Sequence, residues 1–136
     1  MFQSTGHVDF YPNGGFDQPD CPQTSDKLLN SLWSLVTLNP SDIEEGVACS
    51  HQSSFHLYTD SILKSCKYTS FPCNNQGDYD NGLCLKCSSR GCNSMGYWAS
   101  SNNDYGKLYL DTQSVIEKPF CMQNYRVTLF SKDGNQ

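Results

Sequence analysis

Three histidines and eight cysteines hold most of the reactive chemistry in this 136-residue chain. His51 stands in Cys49-Ser50-His51, just ahead of a helical pattern. An imidazole titrates near neutral pH, so His51 can serve as a general base and then a general acid. The plain alternative is a histidine that packs or caps. His7, in a short alternating run, and His56, on the outside of a helix, are read that way. The cysteines could bind metal or pair with one another. Cys84-x-x-Cys87 with Cys92 suggests a zinc knuckle, but such a site wants four ligands in two close pairs, and Cys73 has no near neighbour to pair with. An even, clustered set favours a disulfide framework in an oxidising compartment. No Gly-x-Ser-x-Gly nucleophile elbow occurs in the chain.

Several elements must position these groups. His7 to Tyr11 alternates as a strand, and Asn13-Gly14-Gly15 follows as a tight turn that exploits positive φ. From Ser25 to Leu38 the period becomes helical. Leu28, Leu29, Leu32, Trp33, Leu35 and Val36 form one wide apolar stripe. Asn39-Pro40 should stop this helix, and Ser41-Asp42-Ile43-Glu44 should open one further turn that ends at Gly46. A second helix is expected over 54–64, with Phe55, Tyr58 and Ile62 on one face and Asp60 and Lys64 on the outer one. That placement puts His51 on a loop before the helix. The segment from Cys66 to Cys92 holds five of the cysteines and looks like loop. Two further strands are expected, Lys107 to Thr112 and Tyr125 to Phe130.

The totals narrow the classes. Hydrophobic content of 37% is low for a chain that must build its own core. Nine basic residues against 14 acidic ones, a net charge of -5, exclude the basic face that nucleic acid requires. No stretch has transmembrane length. The first seven residues lack the pattern of a signal peptide. Cysteines that imply export and a start that lacks its signal lead to the expectation of a piece of a longer secreted protein.

Three stretches together resemble the pancreatic-type lipase family, which includes pancreatic and lipoprotein lipases and related sn-1 phospholipases. The first is Gly6-His7-Val8-Asp9-Phe10-Tyr11-Pro12-Asn13-Gly14-Gly15 with Gln18-Pro19-Asp20-Cys21. The second is Cys49-Ser50-His51 with Leu57-Tyr58 and Asp60-Ser61. The third is Phe71-Pro72-Cys73, Gly82-Leu83-Cys84-Leu85-Lys86-Cys87, Cys92 and Met95-Gly96-Tyr97. The order and spacing match the family from residue 6 to about residue 130. The resemblance implies an α/β class, here the C-terminal part of an α/β-hydrolase fold with disulfide-stapled loops and a lid insert. Residues 1–123 would belong to the catalytic domain, with the lid at 21–49, and 124–136 would begin a C-terminal β-sandwich.

By the same resemblance His51 is the histidine of a Ser-Asp-His triad, and the serine, the aspartate and any structural calcium site lie upstream, so no cofactor is expected in this chain. The 136 residues alone would then hold a base without a nucleophile and be inactive. The family's disulfides imply Cys21–Cys49, Cys73–Cys84 and Cys87–Cys92, with Cys66–Cys121 left by subtraction. The 27 residues between Cys21 and Cys49 (49 − 21 − 1) would be the lid, with the apolar stripe from Leu28 to Val36 facing lipid. Closing that loop would constrain the unfolded chain by about 3 kcal/mol. Two positions depart from the pattern: Ser53 stands where the family often has arginine, and Asp20 where glycine is usual.

The implied activity is carboxylic-ester hydrolysis of glycerolipids at a lipid–water interface, extracellular and serine-dependent. The lid length favours triacylglycerol. Lys118-Pro119-Phe120-Cys121-Met122 and the extra cysteine pair instead resemble the sn-1 phospholipase branch. A third reading is a lipase-like binding protein that has lost catalysis, as in insect yolk proteins, and a fourth is a free-standing disulfide-rich module. A replaced serine upstream would mark the third, and a stable monomeric fold without the rest would mark the fourth. A colipase-like partner is left open.

Overall fold

The computed structural model describes residues 4–16, 18–22, 40–63, 66–89, 91–102, 106–116, 118–125 and 127. Strand β1 (Val8–Pro12) begins where the alternation does and ends at a proline, which has no N–H to donate to a ladder. A single 3-10 turn follows (Asn13–Gly15), with φ of 51°, 76° and 75° at Asn13, Gly14 and Gly15. Three successive left-handed residues suit Asn-Gly-Gly and little else, so the sequence expectation holds here.

Helix α1 (Pro40–Leu63) is one element of 24 residues, about 36 Å long at 1.5 Å per residue. Pro40 opens this helix, because a proline's missing N–H costs nothing in a first turn. The helix differs from the expectation at two points. Gly46 does not end it, because Gly46 is buried inside the run. His51 therefore sits in mid-helix and not on a loop.

The segment between Cys66 and Cys92 contains more than loop. Strand β2 (Thr69–Pro72) and helix α2 (Gln76–Asp80) lie in it. Asn75 caps α2 by accepting the Asp78 N–H at 2.9 Å. Both elements are too short and too polar to show a period. Strand β3 (Asn93–Ser94) and strand β4 (Gly106–Leu110) complete a four-stranded sheet in the order β1-β4-β2-β3. β1 runs parallel to β4, with Tyr11 opposite Tyr109, and β2 runs antiparallel to both β4 and β3. The expected strand at Lys107 is thus β4. Tyr125 and Val127 are exposed and carry no strand, and the rest of the expected strand over 125–130 lies outside the described residues, apart from its start.

The alternation of side chains sends each strand's residues to two faces. On one face Tyr11, Phe71, Tyr79 and Tyr109 pack together, backed by Cys73, Cys84 and Leu85. Tyr11 stacks on Tyr109 at 5.3 Å between ring centroids, and Tyr79 of α2 lies 6.3 Å from Tyr109. On the other face Leu110, Tyr68, Phe120 and Leu57 of α1 form a second cluster, joined by Phe10 and Met95. The sheet therefore carries a helix on each side, as the α/β class requires.

All eight cysteines pair: Cys21–Cys49, Cys66–Cys121, Cys73–Cys84 and Cys87–Cys92. Three of these pairs are those that the family resemblance implies and the fourth is the one left by subtraction, so no thiol remains for the zinc alternative.

Candidate active site

The side of α1 that faces the protein is narrow. Gly46, Ser53, Leu57, Asp60 and Ser61 are buried, a stripe at helical spacing made mostly of small or polar residues. The larger apolar residues point outward: Val47 is 61% exposed, Phe55 68% and Ile62 45%. The sequence grouped Phe55, Tyr58 and Ile62 correctly on one face, but that face is exposed and is not the one that seats the helix on the sheet. Asp60 is corrected the other way. It is not on the outer side of the helix but buried, accepting the Tyr68 hydroxyl at 2.7 Å. Burial first, then the nearby Asp60 carboxylate, pushes the Tyr68 phenol far above its usual range.

A third anchor lies at Ser61. Its Oγ accepts the Tyr97 N–H at 2.9 Å and donates to the Tyr58 carbonyl at 2.5 Å. Gly96, at φ 95°, lets the backbone of the Met95–Tyr97 turn close on the helix. A Cβ built there would fall 2.2 Å from Ser61 Oγ. Leu57, Asp60 and Ser61 together hold the second half of α1 on the sheet.

The first half is held by sulfur. Cys49 is bonded to Cys21, with Cα atoms 5.6 Å apart. Ser53, 4% exposed, donates to the Cys49 carbonyl at 3.1 Å, and its Oγ lies 3.7 Å from the Cys21 sulfur. The residue at the family's arginine position is thus a buried hydroxyl under the disulfide. At Asp20 the backbone is not left-handed, since Asn13 is the only non-glycine residue at positive φ among the described residues. The Asp20 carboxylate instead accepts the Val115 N–H at 2.5 Å.

His51 follows Cys49 by two residues and is exposed. Among the described residues none bonds its ring; its carbonyl accepts the Ser54 hydroxyl at 2.6 Å. His51, Ser54 and Tyr58 are spaced i, i+3, i+7 and share one helix face. Ser54 and Tyr58, with Phe10, Leu57 and Met95, line an apolar cavity of about 330 Å³ between α1 and the end of β1. The exposed His51 imidazole thus shares its helix face with two residues that line an apolar hollow. His7 and His56 are exposed and outside this arrangement. His7 only lends its carbonyl to the Gly106 N–H at 2.9 Å, and the His56 ring meets Phe55 edge-on at 5.9 Å. Leu28, Leu29, Leu32, Trp33, Leu35 and Val36 lie outside the described residues.

The contacts at Asp20, Asp60, Ser61 and Gly96 escaped the sequence reading. Asp60 and Tyr68 are close in the chain, yet nothing in their spacing distinguishes a buried carboxylate from an exposed one. Among the described residues no helix is long and apolar enough to cross a membrane.

A mixed sheet with a helix on each face, bound by disulfides, is an α/β arrangement, and it carries an exposed histidine near an apolar hollow. The chain belongs to the lipase family, whose family model, described as Lipase, matches residues 1–120. It is 35% identical to lipase member H of Mus musculus over 140 residues, covering 95% of this chain and 27% of that protein. It is 33% identical to lipoprotein lipase of Mus musculus over 137 residues, with 96% and 27% covered. Against lipoprotein lipase of Gallus gallus the figures are 35% over 127 residues, 91% and 24%. The chain spans about a quarter of the length of these relatives. Family membership carries the α/β-hydrolase fold with it.

Proposed function

We propose that the protein hydrolyses carboxylic esters of glycerolipids at a lipid–water interface, with His51 as the base. The observation that carries this reading is His51 itself. It is exposed, two residues from a disulfide-held Cys49, and lies inside the stretch that matches the lipase family. The imidazole would take the proton of a serine hydroxyl as that oxygen attacks the ester carbonyl. It would then return the proton to the departing alcohol. The serine and the orienting acid would come from lipase sequence that these 136 residues do not span.

In this reading 1–123 is the C-terminal part of the catalytic domain and 124–136 the start of a β-sandwich. The segment closed by Cys21–Cys49 is the lid. Its stripe from Leu28 to Val36 would cover the site when closed and meet lipid when open. Four disulfides suit an extracellular protein. Triacylglycerol is the favoured substrate on lid length. The sn-1 phospholipase reading rests on the Cys66–Cys121 pair, and assay of the full-length protein on triacylglycerol and phospholipid emulsions separates the two.

The central test is His51→Ala in the full-length protein. Turnover should fall about a thousandfold or more with lipid binding retained. Unchanged turnover would remove His51 from the mechanism. A native protein that binds lipid but hydrolyses no ester would support the non-catalytic reading instead.

A further inference from the structure

We propose that Asp20 is a positioning residue for the Cys21–Cys49 bridge, and through it for His51. The inference rests on the lipase reading for its activity arm and on geometry alone for the rest. Cys21 is buried and its N–H bonds the Gln18 carbonyl at 2.9 Å, so the chain turns sharply as it arrives at the disulfide. Across that bond lies Cys49, with His51 half a helical turn further on. Whatever holds residues 18–21 therefore holds the helix at Cys49, two residues before the histidine.

Two side chains do so by bonding the chain just after β4, the strand beside β1. Asn13 donates to Gln18 Oε1 at 2.9 Å and to Thr112 Oγ1 at 2.8 Å, and its own Oδ1 accepts the Thr112 N–H at 3.0 Å. Asp20 accepts the Val115 N–H at 2.5 Å, a bond across 95 residues of sequence. The Asn13 bonds act before the turn. The Asp20 bond acts at the residue next to the disulfide, so it ties the last step of backbone into Cys21 to the chain after β4. Without it the Cys21–Cys49 bridge would still join α1 to the loop after β1, but the loop's end could swing, and with it the first half of α1. The second half, held by Leu57, Asp60 and Ser61, would stay.

The test compares Asp20→Ala, Asp20→Gly and Asp20→Asn in the full-length protein. Asparagine keeps an acceptor oxygen at the same reach; alanine and glycine do not. Three quantities are read: amide exchange over 112–116, the rate at which a thiol reductant opens Cys21–Cys49, and turnover against lipid binding. Alanine and glycine should speed exchange at Val115 about tenfold, the scale of losing one hydrogen bond to a charged acceptor. They should also make Cys21–Cys49 open faster, and lower turnover several-fold with lipid binding unchanged, while asparagine stays near the native protein in all three. Native turnover in Asp20→Ala, or asparagine as impaired as alanine, would overturn the assignment. A native protein without esterase activity would instead sink the lipase reading, and exchange together with disulfide opening would then judge the tether alone.

Discussion

The two faces of this one sheet are fastened in different ways. On the α2 side the aromatic stack of Tyr11, Tyr109 and Tyr79 is backed by disulfides that close short stretches of chain, at separations of 11 and 5 residues. On the α1 side the separations are 28 and 55. A cross-link removes more freedom from the unfolded chain the longer the loop it closes. The 55-residue bridge is worth about 4 kcal/mol and the 5-residue bridge about 2. The α2 face is thus built largely from its own neighbourhood. The α1 face, which carries the candidate histidine, is built from distant parts of the chain, and its geometry is a property of the whole fold.

The largest effect should separate the two faces directly. Replacing Cys66 and Cys121 together by alanine should cost about 4 kcal/mol in reversible unfolding, against about 2 for the Cys87 and Cys92 pair. Equal costs would erase the distinction drawn here. Next is Leu57→Ala, which removes the one large apolar side chain that α1 buries among the described residues. It should cost about 3 kcal/mol, and a cost under about 1 kcal/mol would mean that α1 is not seated on the sheet through this residue. The smallest effect lies on the α2 side. Burial, more than the neighbouring Asp80, raises the Asp111 carboxyl above its usual range, and the Tyr79 hydroxyl donating to it only partly offsets this. A raised folded pKa means that this group favours the folded state below its unfolded pKa and loses that contribution as pH rises through the folded one. Asp111→Asn, which keeps an acceptor for Tyr79, should therefore raise Tm slightly near pH 7. That gain should shrink as pH falls through the folded pKa. A gain that is constant with pH would show that ionisation of Asp111 is not its cause. Burial also pushes the Tyr79 phenol up to about 12, so this residue stays a donor throughout the range of the test.

Legibility followed the range of the interaction. β1, its Asn13-Gly14-Gly15 turn and β4 were readable because alternation and positive φ are written in adjacent residues. His51 was readable as a candidate from Cys49-Ser50-His51 and the family's order of motifs, but its placement in a continuous helix was not. Pro40 and Gly46 look like breaks in one dimension, whereas a first-turn proline and a buried glycine are both compatible with helix. β2 and α2 were missed because four and five residues are too few for a period to show.

By itself the sequence determined an α/β chain with a disulfide framework, one histidine singled out as a candidate, and resemblance to the lipase family. All of these reside in residue types and in the spacing of short motifs. Only the tertiary structure decided which side of α1 turns inward. Phe55, Tyr58 and Ile62 are the more apolar side, yet Leu57, Asp60 and Ser61 are the ones buried, because Tyr68 and the Gly96–Tyr97 turn offer that side its partners. The same holds for Asp20, whose role depends on an N–H brought to it from 95 residues away. A helical pattern states what can be buried; the partners that arrive from elsewhere in the chain decide what is.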